Sequence, residues 1–145
     1  MKDFANYPSL SGRGVIVSGG ASGIGADIVR GFAAQGASVG FLDLDDTAGQ
    51  ALSDELGENV HFAKCDLRDI PEMQSTIAQL REKIGPITVL VNNAARDDRH
   101  DWRDVTQEYW DERAATNIRH QFFAIQACAP DMIEAGGGSI INMGS

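Results

Sequence analysis

Cysteine and proline are scarce in this chain, two and four residues of 145, and each scarcity excludes something. Cys65 and Cys128 have no CxxC spacing and sit in apolar surroundings, which argues against a disulfide framework or a zinc site and predicts buried free thiols. His61, His100 and His120 likewise lack metal-ligand spacing, so no metal site is expected. Basic residues are the minority, 12 Lys and Arg against 21 Asp and Glu, and the resulting charge of −9 speaks against nucleic acid or an anionic membrane surface as partner. The sequence also lacks an apolar run of membrane-spanning length or a signal-peptide core, which points to a soluble, cytoplasmic protein.

What is abundant is glycine. The sixteen glycines cluster at 19–25 and 136–138, where they punctuate the chain rather than disorder it. Between them, short apolar segments at 14–18, 38–42, 60–65, 87–91 and 139–143 alternate with longer amphipathic ones, a pattern that predicts a parallel sheet covered on both faces. Helices are expected over 24–34, closed by Gly36, and over 47–56, closed by Gly57. The clearest is the third, with Ile70, Met73, Ile77, Leu80 and Ile84 in one stripe, Asp69 and Glu72 as a cap-like pair, and Gly85 and Pro86 as the stop. Thr106 is expected to cap a long helix running to Ala135, bent or interrupted near Pro130, with Trp110, Ala114, Ile118, Phe122, Ile125 and Ala129 on its core face.

The segment Ser18, Gly19, Gly20, Ala21, Ser22, Gly23, Ile24, Gly25 lies where the first strand ends and the first helix begins, the context of a dinucleotide-binding loop. Gly19 permits the sharp turn, Gly23 a close backbone approach to a pyrophosphate, and Gly25 tight packing of helix on strand. Free amide groups at the helix start would then face the phosphates. Asp43 closes the second strand, where a carboxylate can accept hydrogen bonds from both adenosine ribose hydroxyls and repel a 2′-phosphate, and neither Leu44 nor Ser22 offers a cation to offset that repulsion. The preferred cofactor is therefore NAD. The plainer reading of Asp43, a solvated turn acid beside Asp45 and Asp46, stays open.

The spacing Gly19-x3-Gly23-x-Gly25, with Ser18 before it, resembles the TGxxxGxG pattern of the short-chain dehydrogenase/reductase family. Cys65-Asp66-Leu67, Asn92-Asn93-Ala94-Ala95 and the segment 138–145 resemble that family too, although Ala95 stands where most members have glycine. The resemblance implies an α/β, Rossmann-type doubly wound parallel sheet of strand order 3-2-1-4-5. It further implies that 1–145 is a single NAD-binding domain, an incomplete dehydrogenase truncated after the fifth strand. Asp66 and Leu67 would flank the adenine, while Asn92, Asn93, Ala94 and Ala95 would brace the sheet and lie along the cofactor. For the two asparagines a polar strand-end turn is the alternative.

By the same resemblance Ser145 matches the serine that positions the substrate oxygen, and Asn117 the asparagine that anchors a water. The alternatives are strand-end polarity for Ser145 and a core amide for Asn117. The family's Tyr-x3-Lys pair has no match, because Tyr7 and Tyr109 are the only tyrosines and neither has lysine four residues on. The 145 residues alone are expected to be inactive. The run from Asn92 to Asp101, with 109–113, Arg119 and His120, resembles the sugar-oxidising branch, D-xylose 1-dehydrogenases among them, and implies a small sugar as substrate. An ordinary charged surface loop is the alternative there. A family member acting on an oxoacyl thioester or a steroid, and a non-catalytic NAD-binding module, also remain open. Self-association into a homo-oligomer is expected through the long helix, the fifth-strand edge, or both.

Overall fold

Period-two alternation of apolar residues decides how the strands are buried. Val15, Val17, Val39, Phe41, Val89 and Val91 pack into one core layer, while their neighbours Ile16, Leu42 and Leu90 enter another. In the computed structural model, which describes residues 5–144, these residues belong to the strands β1 (Gly14–Ser18), β2 (Ser38–Asp43), β3 (Val60–Lys64), β4 (Ile87–Asn92) and β5 (Ser139–Asn142). All pairs are parallel and the order is β3-β2-β1-β4-β5, as the sequence implies. Register sets Ser18 beside both Leu42 and Asn92, Asp43 beside Lys64, and Asn92 beside Asn142. The carboxyl ends of the strands therefore form one rim, with the reversal of strand order between β1 and β4 at its centre.

The first layer is closed by α1 (Gly23–Ala34) and α2 (Asp46–Leu56), which contribute Val29 and Leu52. The second is closed by α3 (Ile70–Ile84) and α5 (His120–Glu134), which contribute Met73, Ile77, Leu80, Ala124, Cys128 and Met132. Asp45 and Asp69 cap α2 and α3 by accepting the amides of Ala48 and Glu72. Asp131 ties three elements together: its carboxylate accepts two hydrogen bonds from the Arg81 guanidinium of α3, at 2.7 and 2.8 Å, and a third from the Ile87 amide of β4 at 2.8 Å. Among the described residues no helix is long and apolar enough to cross a membrane.

The long helix departs from expectation. Thr106 does cap α4 (Gln107–Ala114), through the Tyr109 amide, but the interruption is a π-helical turn at Ala115–Arg119 and not a bend at Pro130, which sits inside α5. A π turn holds one residue more than an α turn, so the buried face steps five residues from Ala115 to His120 before resuming at Ala124 and Cys128. Trp110, Ile118 and Phe122, expected in the core, stand 68%, 69% and 65% exposed.

Candidate functional site

The turn after β1 is built by backbone geometry that side chains disfavour. Gly19 and Gly23 have φ of +66° and +52°, and the Gly19 and Gly20 amides both donate to the Leu42 carbonyl, bending the chain across the end of β2. At Gly25 space is the constraint. A Cβ there would strike the Gly19 carbonyl and lie 2.6 Å from Asn93 Nδ2, so α1 can start this close to β4 only on glycine. Ser22 precedes α1 in an extended conformation and makes no side-chain cap, which leaves the helix's first amides without a side-chain partner.

Two residues expected along the cofactor instead lie behind its wall. The buried Ser18 hydroxyl accepts the amides of Asn93 and Ala94 at 3.1 and 3.2 Å, stapling β1 to the segment after β4. Asn92 is fully buried and donates to Asn142 Oδ1 at 2.8 Å, while its own Oδ1 has no partner among the described residues. Asn93 completes the staple, with Nδ2 donating to the Ser18 and Gly19 carbonyls.

In front of this staple lies a cleft of about 650 Å³, within the range of small-molecule sites. Gly19, Ser22, Gly23, Ile24, Gly25, Asp43, Leu44, Asp66, Leu67, Asn93, Ala94 and Ala95 all line it. Asp43 is partly engaged already: Oδ2 accepts the Ala21 amide at 2.9 Å and Oδ1 the Asp45 amide at 3.0 Å, so the carboxylate shapes the glycine turn and keeps a lone pair on each oxygen. Asp66 is paired with Arg68, whose guanidinium hydrogen bond holds the carboxyl below the usual range.

Asn117 lies in the π turn, and both ends of its amide are used: Oδ1 accepts the Arg96 N–H at 2.8 Å and Nδ2 donates to the Arg96 carbonyl at 2.9 Å. Its side chain is thus a clamp on the loop after β4. Ser145 falls outside the described residues. Beyond that loop, Arg113 donates to Asp98 and to the Tyr109 hydroxyl, and His100 packs edge-on against the Tyr109 ring.

Glu112, placed with the substrate by the sequence, lines the cleft, whereas sequence reasoning missed Arg68 and Thr116, which also line it, and the bond His120 makes to Ala94. Arg68 carries a local signal in retrospect, an acid two residues before it that its backbone and guanidinium both reach. Thr116 carries none, because the π turn decides which way it faces.

The glycine turn, the uncapped helix start and the carboxylate at the end of β2 are the set of groups a dinucleotide's pyrophosphate and ribose require. The family model for short chain dehydrogenase matches residues 13–145. The chain belongs to the short chain dehydrogenase family. Within that family it is similar to D-xylose 1-dehydrogenase of Caulobacter vibrioides, 49% identical over 97% of this chain and 56% of the relative. It is also similar to the Probable galactose dehydrogenase GalD of Rhizobium meliloti, 46% identical over 97% of this chain and 57% of the relative. The chain thus spans about half the length of the curated relatives it matches. Among solved structures, serine dehydrogenase from Escherichia coli superposes with a TM-score of 0.82 at 32% identity, covering 91% of this chain and 61% of that one. As in other short chain dehydrogenases, the cleft here opens at the carboxyl edge of the sheet, where strand order reverses.

Proposed function

We propose that this chain forms the cofactor-binding part of an NAD-dependent dehydrogenase that oxidises an aldose to its lactone. The observation that carries the NAD preference is Asp43, a carboxylate on the rim of the cleft with only Ser22 and Leu44 beside it in the sequence positions where a 2′-phosphate would need a cation. The amides of the first α1 turn bind the pyrophosphate, and the free lone pairs of Asp43 accept from the adenosine ribose hydroxyls. Bound NAD supplies the hydride acceptor. Asp66 and Leu67 border the adenine, and Asn93, Ala94 and Ala95 lie along the cofactor. Asn117 fixes the Arg96 peptide and with it the polar loop that follows, and Ser145 orients the substrate oxygen.

Similarity to xylose and galactose dehydrogenases supports a sugar substrate. So does the loop from Arg96 to Asp101, whose charged groups suit a polyhydroxy ligand. Exposed Ile118, Phe122 and Ile133 on one stretch of helix support a homo-oligomer. No Tyr-x3-Lys pair occurs in the 145 residues, so these residues alone hold NAD without exchanging the substrate proton.

Fluorescence titration with NADH and NADPH tests the cofactor half of the reading, and saturable binding with NADH the tighter ligand is expected. Absence of NADH binding by folded protein refutes it. Sugar-dependent NADH formation, with xylose and galactose as first substrates, is expected from the polypeptide that carries the pair and not from a 145-residue preparation of verified mass.

A further inference from the structure

His120 is the first residue of α5 and is wholly buried, yet its ring does not simply fill space. Nε2 lies 3.1 Å from the Ala94 carbonyl oxygen, and Nδ1 has no partner among the described residues. A carbonyl can only accept, so in the bond to Ala94 it is Nε2 that carries the proton. Burial pushes the ring's pKa down, against smaller opposing effects of the Ala94 and Thr116 carbonyls, which agrees with a neutral ring. An apolar side chain of the same size would fill the same space. What the histidine adds is the one hydrogen bond to Ala94.

That bond fixes a peptide plane. In a trans peptide the carbonyl and the following N–H point in opposite directions. With the Ala94 carbonyl drawn inward to His120, the Ala95 N–H is turned outward. Asn117 acts on the next plane in the same way: it holds the Arg96 N–H, which turns the Ala95 carbonyl outward. Ala95 is exposed and lines the cleft. We infer that His120 is a positioning residue for the cofactor, holding the Ala94 carbonyl so that the Ala95 amide is presented to the cleft as a hydrogen-bond donor. The inference rests on the NAD reading above and extends it to a residue that does not itself reach the cleft.

Two measurements test it. His120→Phe keeps the ring's bulk and removes the donor, and is expected to weaken NADH binding about two- to tenfold, the worth of one hydrogen bond. His120→Gln, which returns an N–H donor, is expected to recover most of that loss. A side chain that served only packing would change the melting temperature and leave the dissociation constant unmoved. Equal NADH affinity in His120→Phe, or no recovery in His120→Gln, overturns the inference. The unaltered protein supplies a second readout if the variants do not fold. Nitrogen-15 shifts of the His120 ring are expected to report the Nε2–H tautomer without ligand, and the Ala95 amide resonance to move on adding NADH. An Nδ1–H tautomer, or an Ala95 amide unmoved at saturating NADH, refutes the role of His120. Failure of the unaltered protein to bind NADH refutes the cofactor reading and leaves the tautomer result standing by itself.

Discussion

Replacing Asp43 separates two roles that the structure gives to one carboxylate. The first is discrimination. A unit charge about 4 Å from a 2′-phosphate charge is repelled by about 1–4 kcal/mol at effective dielectrics between those of water and of a protein surface. That corresponds to roughly fivefold to nearly a thousandfold in the ratio of NADPH to NADH dissociation constants. The second is support, since Asp43 accepts the amides of Ala21 and Asp45. Ala21 is buried, and an amide left unpaired there costs about 1–3 kcal/mol and loosens the glycine turn. Asp43→Ala is therefore expected to weaken both cofactors while narrowing the ratio about fivefold or more. Asp43→Asn keeps one acceptor and loses the charge, so it should narrow the ratio with a smaller loss of NADH affinity. Fluorescence titrations at about 0.1 M salt, where the screening length of about 10 Å exceeds the charge separation, read both numbers. Binding of both cofactors by Asp43→Ala at an unchanged ratio would refute the reasoning.

Asp131→Ala orphans the buried Ile87 amide at about 1–3 kcal/mol and unpairs Arg81, which is half-exposed and adds at most about 1 kcal/mol, so the melting temperature is expected to fall roughly 5–15 °C. Because Arg81 holds the Asp131 carboxyl below its usual 3.8, that stabilisation is complete above about pH 4 and lost as the pH falls through the lowered value. The gap between the melts of the two proteins should therefore narrow as the pH falls below about 4, leaving the part due to the Ile87 amide, and a gap independent of pH would contradict the ion pair. Burial pushes the Cys65 and Cys128 thiols up to about 11 and about 12, so neither is expected to react with a disulfide reagent at pH 8 until the protein unfolds. Prompt labelling of the native protein would show otherwise. Sedimentation at high micromolar concentration is expected to show self-association of the chain through its exposed helix and β5 residues, and a stable monomer would count against that.

The strands and most helix limits were legible because they depend on neighbours in sequence: apolar runs, Asp69 before a first turn, Gly85 after a last one. The glycine turn was legible because positive φ leaves a compositional mark. The break between α4 and α5 was not. Pro130 is the residue whose chemistry predicts an interruption, whereas the sequence Ala115, Thr116, Asn117, Ile118, Arg119 carries no glycine or proline to announce a π turn. The stripe of Trp110, Ile118 and Phe122 then read as core when it faces outward. In the site, Ser18 and Asn92 were assigned to the cofactor because they stand at strand ends, but the side chains of both are spent on neighbouring strands. The bond of His120 is not legible in the sequence, since its partner, the Ala94 carbonyl, is 26 residues away and is a backbone atom, which no side-chain pattern can reveal.

The extra residue of that π turn lets one helical run serve two masters with different phases. Within it, Asn117 must meet Arg96. Downstream, Cys128, Asp131 and Met132 must meet the sheet and α3. An α-helix advances about 100° per residue, so deleting any single residue of 115–119 would restore regular winding and turn everything beyond it by about that angle. Either the loop clamp or the core face could then be in phase, but not both. A one-residue deletion here, at a place with no glycine turn and no carboxylate pair, should therefore be felt in the cleft and in the core together, whereas most substitutions at exposed Ile118 should be felt in neither.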